Sequence, residues 1–325
     1  MFSRIGIVVN PDRVGAADAA AQLLALLGDA MPGSACRITP TIEFGTGKKG
    51  HAGDVVSDSL ENIAKNSDVI FSFGGDGTML GVARAIVRSN SGASLVGINL
   101  GKLGFIAENQ PEDMEVLVQE LANARLRPEP RLLVQAHVRS EDNREGGTRL
   151  RHYPNNDGSH STSTTTRDML AMNEIVVDNF GSTRMLTFEL RIDGTLAGTM
   201  RADGIIVASP TGSTGYAVSA GGPIIEPTSE VLLITPIAPH SLNVRPIVVP
   251  QHVRITVRAS SDETTEALFV ADGQEEVVVG MPALAEIGAA RERVTLLRRE
   301  SSNYFDRLRN KLLWSIDARD GGGRG

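Results

Sequence analysis

The chain reads as an α/β N-terminal domain followed by a β-rich, sandwich-like C-terminal domain. Three observations carry that reading. From Arg4 to about Ala124, short apolar runs alternate with helically spaced segments, the rhythm of βαβ units. After Pro128 the chain turns to short strands, several alternating apolar and polar residues as half-buried antiparallel strands do. Its 325 residues also suit two domains, at roughly 100–200 residues each.

RIGIVVN (4–10) predicts the first strand. A helix follows over Ala16–Leu27, where Leu23, Leu24 and Leu27 share a face. Asp54–Lys65 predicts a second helix. Val69–Phe73 is a buried strand that runs into Gly74-Gly75-Asp76-Gly77-Thr78, with a helix over Met79–Arg88 that Thr78 is placed to cap. Leu95–Asn99 is a strand, and Pro111–Ala124 a helix whose proline suits its first turn. The strands expected beyond are Leu132–Arg139, Ala171–Asp178, Met185–Ile192, Gly204–Ala208, Val231–Thr235, Val253–Val257, Ala267–Ala271, Val277–Val279 and Val294–Arg299. A short helical stretch, Thr214–Ala220, interrupts them. Asn303–Trp314 predicts a terminal helix with Phe305, Leu308 and Leu312 at helical spacing. The domains are therefore set at 1–127 and 128–300. The stretch 301–325 is a helix and disordered tail that should pack back on the N-terminal domain. The segment 141–168, with PNNDGSHSTSTTT at its centre, lacks apolar anchors and predicts a mobile insertion.

Composition narrows the function classes. A formal charge of −7 argues against a broad nucleic-acid face. Nine phenylalanines, three tyrosines and one tryptophan would also supply few base-stacking platforms. No apolar run approaches the roughly 20 residues of a membrane helix, and the start, MFSRIGIVVNPD, reads as a strand entering a turn rather than as a signal peptide. One cysteine, Cys36, excludes an intrachain disulfide framework and a Cys-rich metal site, and reads as a small core hydrophobe. A cytoplasmic protein that binds neither nucleic acid nor membrane is the expectation.

Gly45-Thr46-Gly47-Lys48-Lys49-Gly50 spells G-x-G-x-x-G, but ITPTIEF is a poor strand before it and no acidic residue ends the next strand. The reading disfavours a dinucleotide fingerprint there. Gly74, Gly75, Gly77 and Thr78 are better placed, because a strand precedes them and a helix follows. Backbone N–H groups at such a junction receive phosphate. Asp76 is out of place in a plain phosphate loop, since a carboxylate is repelled there unless it orders a metal or takes a proton. The second glycine-rich run, Asp203 to Pro223, carries hydroxyls at Ser209, Thr211, Ser213 and Thr214, which both donate and accept, and Tyr216 as a stacking face. Asn173-Glu174 interrupts the strand LAMNEIVVD: the pair either faces solvent or meets a ligand.

With these stretches in order, the chain closely resembles the NAD kinase family. The matching motifs are GGDGTML (74–80), GINLGKLGF (97–105), the Asn173-Glu174 pair, DGIIVASPTGSTGYAVSAGGPI (203–224), APHSLNVRPIVV (238–249) and ADGQ (271–274). Gly215 stands where the family usually has alanine, and Ser209 where threonine is common. The resemblance implies an active site between the domains and a homodimer or homotetramer. It also implies transfer of the γ-phosphoryl group of ATP, with a divalent cation, to the adenosine 2′-hydroxyl of NAD. Asp76 matches the proton acceptor and, with Gly77, an NAD contact. Asn173 and Glu174 match the adenosine-holding pair, and Thr214, Gly215, Tyr216, Ala217, Val218 and Ser219 the adenine-pocket stretch. Asp203 matches the carboxylate at the nicotinamide end; Arg184, Arg201, Ala238 and Gln274 match further NAD contacts.

The chemistry agrees with the resemblance, since a carboxylate can take the proton of a weakly nucleophilic hydroxyl as phosphoryl transfer proceeds. No His, Asp and Glu spacing predicts a dedicated metal cage: His152, Asp157 and His160 read as solvated loop residues, and magnesium would arrive on ATP. His240 either touches a ligand or makes a structural hydrogen bond. A lipid kinase and a catalytically silent NAD-binding regulator are the rival readings. The first lacks an obvious membrane-facing element, and the second sits poorly with an intact Asp76 in its glycine frame.

Overall fold

Twenty strands and six helices form among the residues described by the computed structural model: 2–39, 55–101, 104–141, 149–152, 166–180, 184–262 and 266–312. The G-x-G-x-x-G stretch at 45–50, Asp157, His160 and the tail from residue 313 lie outside them. In chain order the elements begin β1 (Arg4–Val9), α1 (Ala16–Ala30), β2 (Ala35–Ile38), β3 (Val55–Ser57), α2 (Leu60–Asn66), β4 (Val69–Gly74) and α3 (Asp76–Ser89). Next come β5 (Ser94–Asn99), α4 (Met114–Ala122), β6 (Arg127–Arg131), β7 (Val134–Ser140), β8 (Arg149–His152), β9 (Thr166–Ala171), β10 (Glu174–Asn179) and β11 (Leu186–Ile192). They continue with β12 (Thr195–Ala202), β13 (Gly204–Ala208), α5 (Tyr216–Ser219), β14 (Val231–Ile237), β15 (Ile247–Pro250) and β16 (Ile255–Ser260). The last are β17 (Glu266–Ala271), β18 (Glu275–Gly280), β19 (Ala283–Ala289), β20 (Val294–Arg298) and α6 (Tyr304–Leu312). Two compact units result: one takes the chain to Pro130 and resumes at Val294, and the other is Arg131–Arg293.

The first unit is a sheet of order β3-β2-β1-β4-β5-β20-β6. β1 pairs in parallel with both β2 and β4, and β5 in parallel with both β4 and β20. Central strands covered on both faces must be apolar throughout, and every residue of β4 is buried. On one face Ile5, Ile7, Phe71 and Ile98 meet Leu23 and Leu27 of α1 and Leu117 and Leu121 of α4 in one core. On the other face α2 comes close: a Cβ on Gly6 would lie 2.6 Å from Ile63 Cγ2. Connections leave β1 toward β2 and β4 toward β5, so the strand order reverses between β1 and β4. Ligands of open α/β sheets bind beyond the C-terminal strand ends at that reversal. Gly74 and Gly75 stand there, beside Asn10, whose N–H donates to Phe73 O at 2.9 Å.

The second unit holds two antiparallel sheets, β15-β14-β13-β10-β17-β18-β8 and β12-β11-β16-β19-β7-β9. Inward residues alternate along each strand and share one core, with Ile175, Val207, Ile234 and Phe269 from the first sheet and Val134, Phe188, Val257 and Ile287 from the second. On the outer face of the first sheet Ala217 of α5 packs with Val176, Ile206 and Leu233.

Several elements differ from the sequence expectation. Asp54–Lys65 is not one helix: Val55–Ser57 pairs in parallel with β2, and Ser59 caps α2 by accepting from Asn62 N. Within the 141–168 segment, expected to be a loop throughout, β8 pairs antiparallel with β18 and Thr166–Asp168 begins β9. Ala171–Asp178 is two strands, broken at Met172 and Asn173. Val294–Arg299, read as a strand of the β-rich domain, is β20 of the parallel sheet beside β5.

Candidate active site

In the first unit, Asp76 is the centre of a small cage. The junction has no free loop: α3 begins at Asp76, so Asp76, Gly77 and Thr78 form its first turn. Thr78 therefore does not cap the helix. The N-cap is Gly75, without a side-chain bond, and the Thr78 hydroxyl instead accepts from Asn10 Nδ2 at 3.3 Å. That hydroxyl sits against Gly74, where a Cβ would fall 2.8 Å from Thr78 Cβ. Glycine is thus required by close approach. Arg13 brings its guanidinium to 4.0 Å from the Cβ position of Gly75.

The Asp76 side chain turns back onto the segment after β5. Oδ1 accepts from the backbone N–H of Ile106 (3.1 Å) and Ala107 (2.9 Å), and Oδ2 from that of Phe105 (2.8 Å). Asn99 Oδ1 holds the start of that segment through Gly101 N at 2.9 Å, and Asn109 Nδ2 pins its end on Gly97 O at 3.0 Å. A Cβ on Gly104 would collide with Oδ1 and lie 2.6 Å from Cγ and 2.9 Å from Oδ2. Each carboxylate oxygen has two in-plane lone pairs. Oδ1 has both engaged by backbone donors, whereas Oδ2 has one.

In the second unit a separate constellation forms around Asn173 and Glu174. Asp272, at φ 53° in the turn between β17 and β18, accepts from Met172 N (3.0 Å) and Asn173 N (2.7 Å). Ser209 N–H donates to Asn173 O (2.8 Å), and its hydroxyl donates to Met172 O (2.6 Å) while accepting from Gly212 N (3.1 Å). Thr211 Oγ1 accepts from the buried Arg131 (3.1 Å). Ser213 Oγ accepts from Ile225 N at 3.0 Å. The hydroxyl-rich loop is therefore a clamp on the Met172-Asn173 backbone. Two acceptors of the pair are left over: Asn173 Oδ1 and Glu174 Oε2 are buried with no hydrogen-bond partner among the described residues. Burial, reinforced by the Asp272 carboxylate and opposed by the Tyr216 N–H, pushes the Glu174 carboxyl up to about 7. Buried acceptors without donors are expensive unless something else donates. Of the two options that the sequence leaves for this pair, the burial and the orphan atoms favour a ligand.

Gly215 lies over these atoms: a Cβ there would reach 2.8 Å from Glu174 Oε2 and 3.5 Å from Asn173 Nδ2. Tyr216 is 44% exposed, Ala217 is buried, and Thr214 Oγ1 is occupied with Thr211 O. Val218 and Ser219 complete α5. Asp203 precedes β13; burial, with a smaller push from the Asp203 charge, raises the carboxyl of Asp178. Arg201 O accepts from His240 N at 2.9 Å, and Ala238 takes a left-handed φ of 42°. Arg184 O accepts from Asn179 Nδ2, and Gln274 N donates to Ala271 O.

Two family models match the chain: the ATP-NAD kinase N-terminal domain over residues 5–126 and the C-terminal domain over 172–298. The chain belongs to the ATP-NAD kinase family. The NAD kinase of Thiobacillus denitrificans is 36% identical over 261 residues, which cover 80% of this chain and 81% of that one. The NAD kinase of Pseudomonas savastanoi pv. phaseolicola is 34% identical over 264 residues, 81% of each. Among solved structures, yeast NADH kinase complexed with NADH superposes with a TM-score of 0.80, covering 97% of this chain and 89% of that one. At 22% identity that likeness speaks to the fold. An NAD kinase from Archaeoglobus fulgidus in complex with ATP gives a TM-score of 0.67 at 26% identity, covering 95% and 98%.

Membership in the NAD kinase family makes this chain a phosphotransferase with nucleotide substrates. Among the described residues no group of three or more His, Cys, Asp or Glu side chains could hold a metal ion, and no helix is long and apolar enough to cross a membrane. Sequence reasoning missed several residues of the two constellations, Asp272, Gly104 and Arg131 among them. Asp272 was within reach, as an acidic residue before glycine in the quoted ADGQ. Gly104 likewise lies in a quoted motif, but nothing local shows that it faces Asp76. Arg131, buried beneath the loop, carries no sequence signal for that place.

Proposed function

We propose that this NAD kinase-family chain transfers the γ-phosphoryl group of ATP to the adenosine 2′-hydroxyl of NAD, giving NADP, with Asp76 Oδ2 as the general base. The observation that carries the base assignment is the Asp76 cage, in which three backbone N–H groups fix the carboxylate and leave Oδ2 a lone pair. In the step, the 2′-oxygen forms a bond to phosphorus as the bond to the ADP oxygen breaks. The electron pair leaves with ADP, and the hydroxyl proton passes to Oδ2. Gly74, Gly75, Gly77 and Thr78, at the start of α3, line the place for the triphosphate.

The orphan acceptors of Asn173 and Glu174 suit the hydroxyl donors of the adenosine ribose. Thr214, Gly215, Tyr216, Ala217, Val218 and Ser219 take the adenine, with the Tyr216 ring free to stack. Asp203 serves the nicotinamide end, and Arg184, Arg201, Ala238 and Gln274 make further NAD contacts. A divalent cation, magnesium by its habit of travelling on nucleotide phosphates, would neutralise charge on ATP. A homodimeric or homotetrameric state and a cytoplasmic setting belong to the same reading and rest on the resemblance alone.

The test is purified protein with ATP, magnesium and NAD, coupled to an NADP-specific dehydrogenase. NADP should accumulate, and Asp76→Asn should lower kcat by about 10²–10⁴-fold with a smaller change in NAD affinity. An asparagine amide would turn an N–H₂ toward at least one backbone donor of the cage, so Tm is measured beside kcat. No NADP under varied donors and metals overturns the reading. A pure binding defect in Asp76→Asn, with a pure rate defect in Glu174→Gln, would move the base to Glu174.

A further inference from the structure

The terminal helix brings a cation to the Asp76 cage. Lys311, in the last turn of α6, places Nζ 3.7 Å from Asp76 Oδ2 and 4.3 Å from the centroid of the Phe105 ring. Phe105 is the residue whose N–H binds the same Oδ2. The ion pair is loose. Its length exceeds the about 2.7–2.9 Å of a charge-assisted hydrogen bond. With side chains 34% and 27% exposed, such a pair contributes about 1 kcal/mol or less. The cage already holds Asp76 without it.

The seating of α6 is firm by contrast. Leu308 and Arg307 are buried. Arg307 pairs with Glu108, which also accepts from Ser302 Oγ at 2.6 Å. Arg298, 2% exposed, donates to Ile106 O at 2.7 Å and to Glu129 Oε1 at 3.2 Å. Residues 106–108 continue the same segment that supplies the N–H groups of the cage. A rigidly held helix thus ends in a weakly held ammonium, aimed at the one carboxylate oxygen with room for a proton. Favourable placement of a cation near a helix C-terminus would account for the charge. It does not account for its position over Asp76 and Phe105.

We propose that Lys311 is a further catalytic residue: its ammonium swings from Asp76 Oδ2 to the non-bridging oxygens of the γ-phosphoryl group during transfer. This rests on the assignment of Asp76 as base. An acceptor hydroxyl that gives its proton to Oδ2 must come within about 2.6–3.2 Å of it. The phosphorus bonds to that same hydroxyl oxygen, so its remaining oxygens come within the sweep of a flexible lysine stem whose Nζ lies 3.7 Å from Oδ2. The lysine stays protonated throughout. The new bond is between the 2′-oxygen and phosphorus, the broken one is to ADP, and the proton goes to Asp76. Lys311 neutralises phosphoryl charge as it spreads in the transition state.

The test compares Lys311→Met, Lys311→Arg and Asp76→Asn in the full chain. It reads kcat at saturating ATP and NAD, the NAD dissociation constant by calorimetry, and Tm. Methionine keeps an unbranched stem and removes the ammonium. Lys311→Met should lower kcat by about 10–10²-fold, with NAD affinity within about twofold and Tm within about 2 °C. Lys311→Arg should recover most of the rate. A kcat for Lys311→Met within twofold of wild type, with Asp76→Asn impaired, overturns the lysine and leaves the base. An unimpaired Asp76→Asn with an impaired Lys311→Met removes the base and keeps the lysine at the phosphoryl group. A fall in kcat matched by a fall in Tm and not rescued by arginine makes Lys311 a structural residue and overturns the proposal.

Discussion

Gly104→Ala adds one methyl group beside the carboxylate that the proposed mechanism depends on. The added Cβ would collide with Asp76 Oδ1 and stand 2.6 Å from Cγ, so the carboxylate must move. Gly104 is not among the glycines with positive φ, and backbone strain plays no part. Moving Oδ1 breaks its bonds to the N–H groups of Ile106 and Ala107 and lengthens the bond from Phe105. Hydrogen bonds to a charged acceptor contribute about 1.5–3 kcal/mol each, but this side chain is 27% exposed and water replaces part of the loss. A destabilisation of about 2–3 kcal/mol follows, read as a Tm lower by about 5–10 °C. The rate should suffer more, because a catalytic group displaced by about 1 Å costs roughly 10²-fold. Gly101→Ala, in the same segment, is the control: its Cβ would meet only Asn99 Oδ1 at 3.8 Å, an ordinary contact. The assay is coupled NADP formation with thermal unfolding of both variants. A Gly104→Ala enzyme within threefold of wild type, or equal damage from Gly101→Ala, would refute the cage as the device that positions Asp76.

Three further outcomes are expected. The Glu174 carboxyl rises from 4.5 to about 7 in the folded chain, so its contribution to stability is full below about pH 4.5 and lost as pH rises through about 7, a change of about 3 kcal/mol at most. Glu174→Gln should remove that slope, and urea unfolding at pH 5 and pH 8 that shows the same difference between variant and wild type at both would contradict it. An NAD analogue lacking only the adenosine 2′-hydroxyl should bind, as read by calorimetry, and accept no phosphoryl group; transfer to it would place the acceptor elsewhere. Burial pushes the Cys36 thiol up to about 11, so a thiol reagent at neutral pH should label it only as fast as the chain unfolds, and rapid labelling in native buffer would count against its place in the core.

The parallel core was readable because a strand covered on both faces is a run of apolar residues, and Val69–Phe73 is one. The glycines at 74, 75 and 77 then marked where backbone must come close. β6 was not readable: RPEPR carries two prolines, which in general argue against a strand, yet it is an edge strand of the sheet, where proline is tolerated. β8 was masked by its polar surroundings, since an edge strand on β18 needs backbone pairing more than apolar side chains. The apolar run at Val294–Arg298 announced a strand but not its partner. Asn173 and Glu174 were readable as an anomaly only, because their burial depends on strands and a loop far along the chain. The helical pattern at 304–312 gave Lys311 a position on a helix, but nothing local says that the helix ends over Phe105 and Asp76.

The return of β20 to the parallel sheet bears on the order in which the molecule can be made. During synthesis from the N-terminus, β5 and β6 emerge early, yet the strand that lies between them emerges only after all of Arg131–Arg293. Until then Glu129 waits without Arg298, and the segment carrying Ile106 and Glu108 lacks the arginines and the helix that later hold it. The first unit therefore cannot close on the ribosome in the order of its own sequence; the second is a complete excursion that must be finished first. A nascent chain halted at Pro130 would present an open sheet edge along β5 and an unfinished Asp76 cage. The phosphotransferase machinery becomes whole only once β20 and α6 have followed Arg131–Arg293.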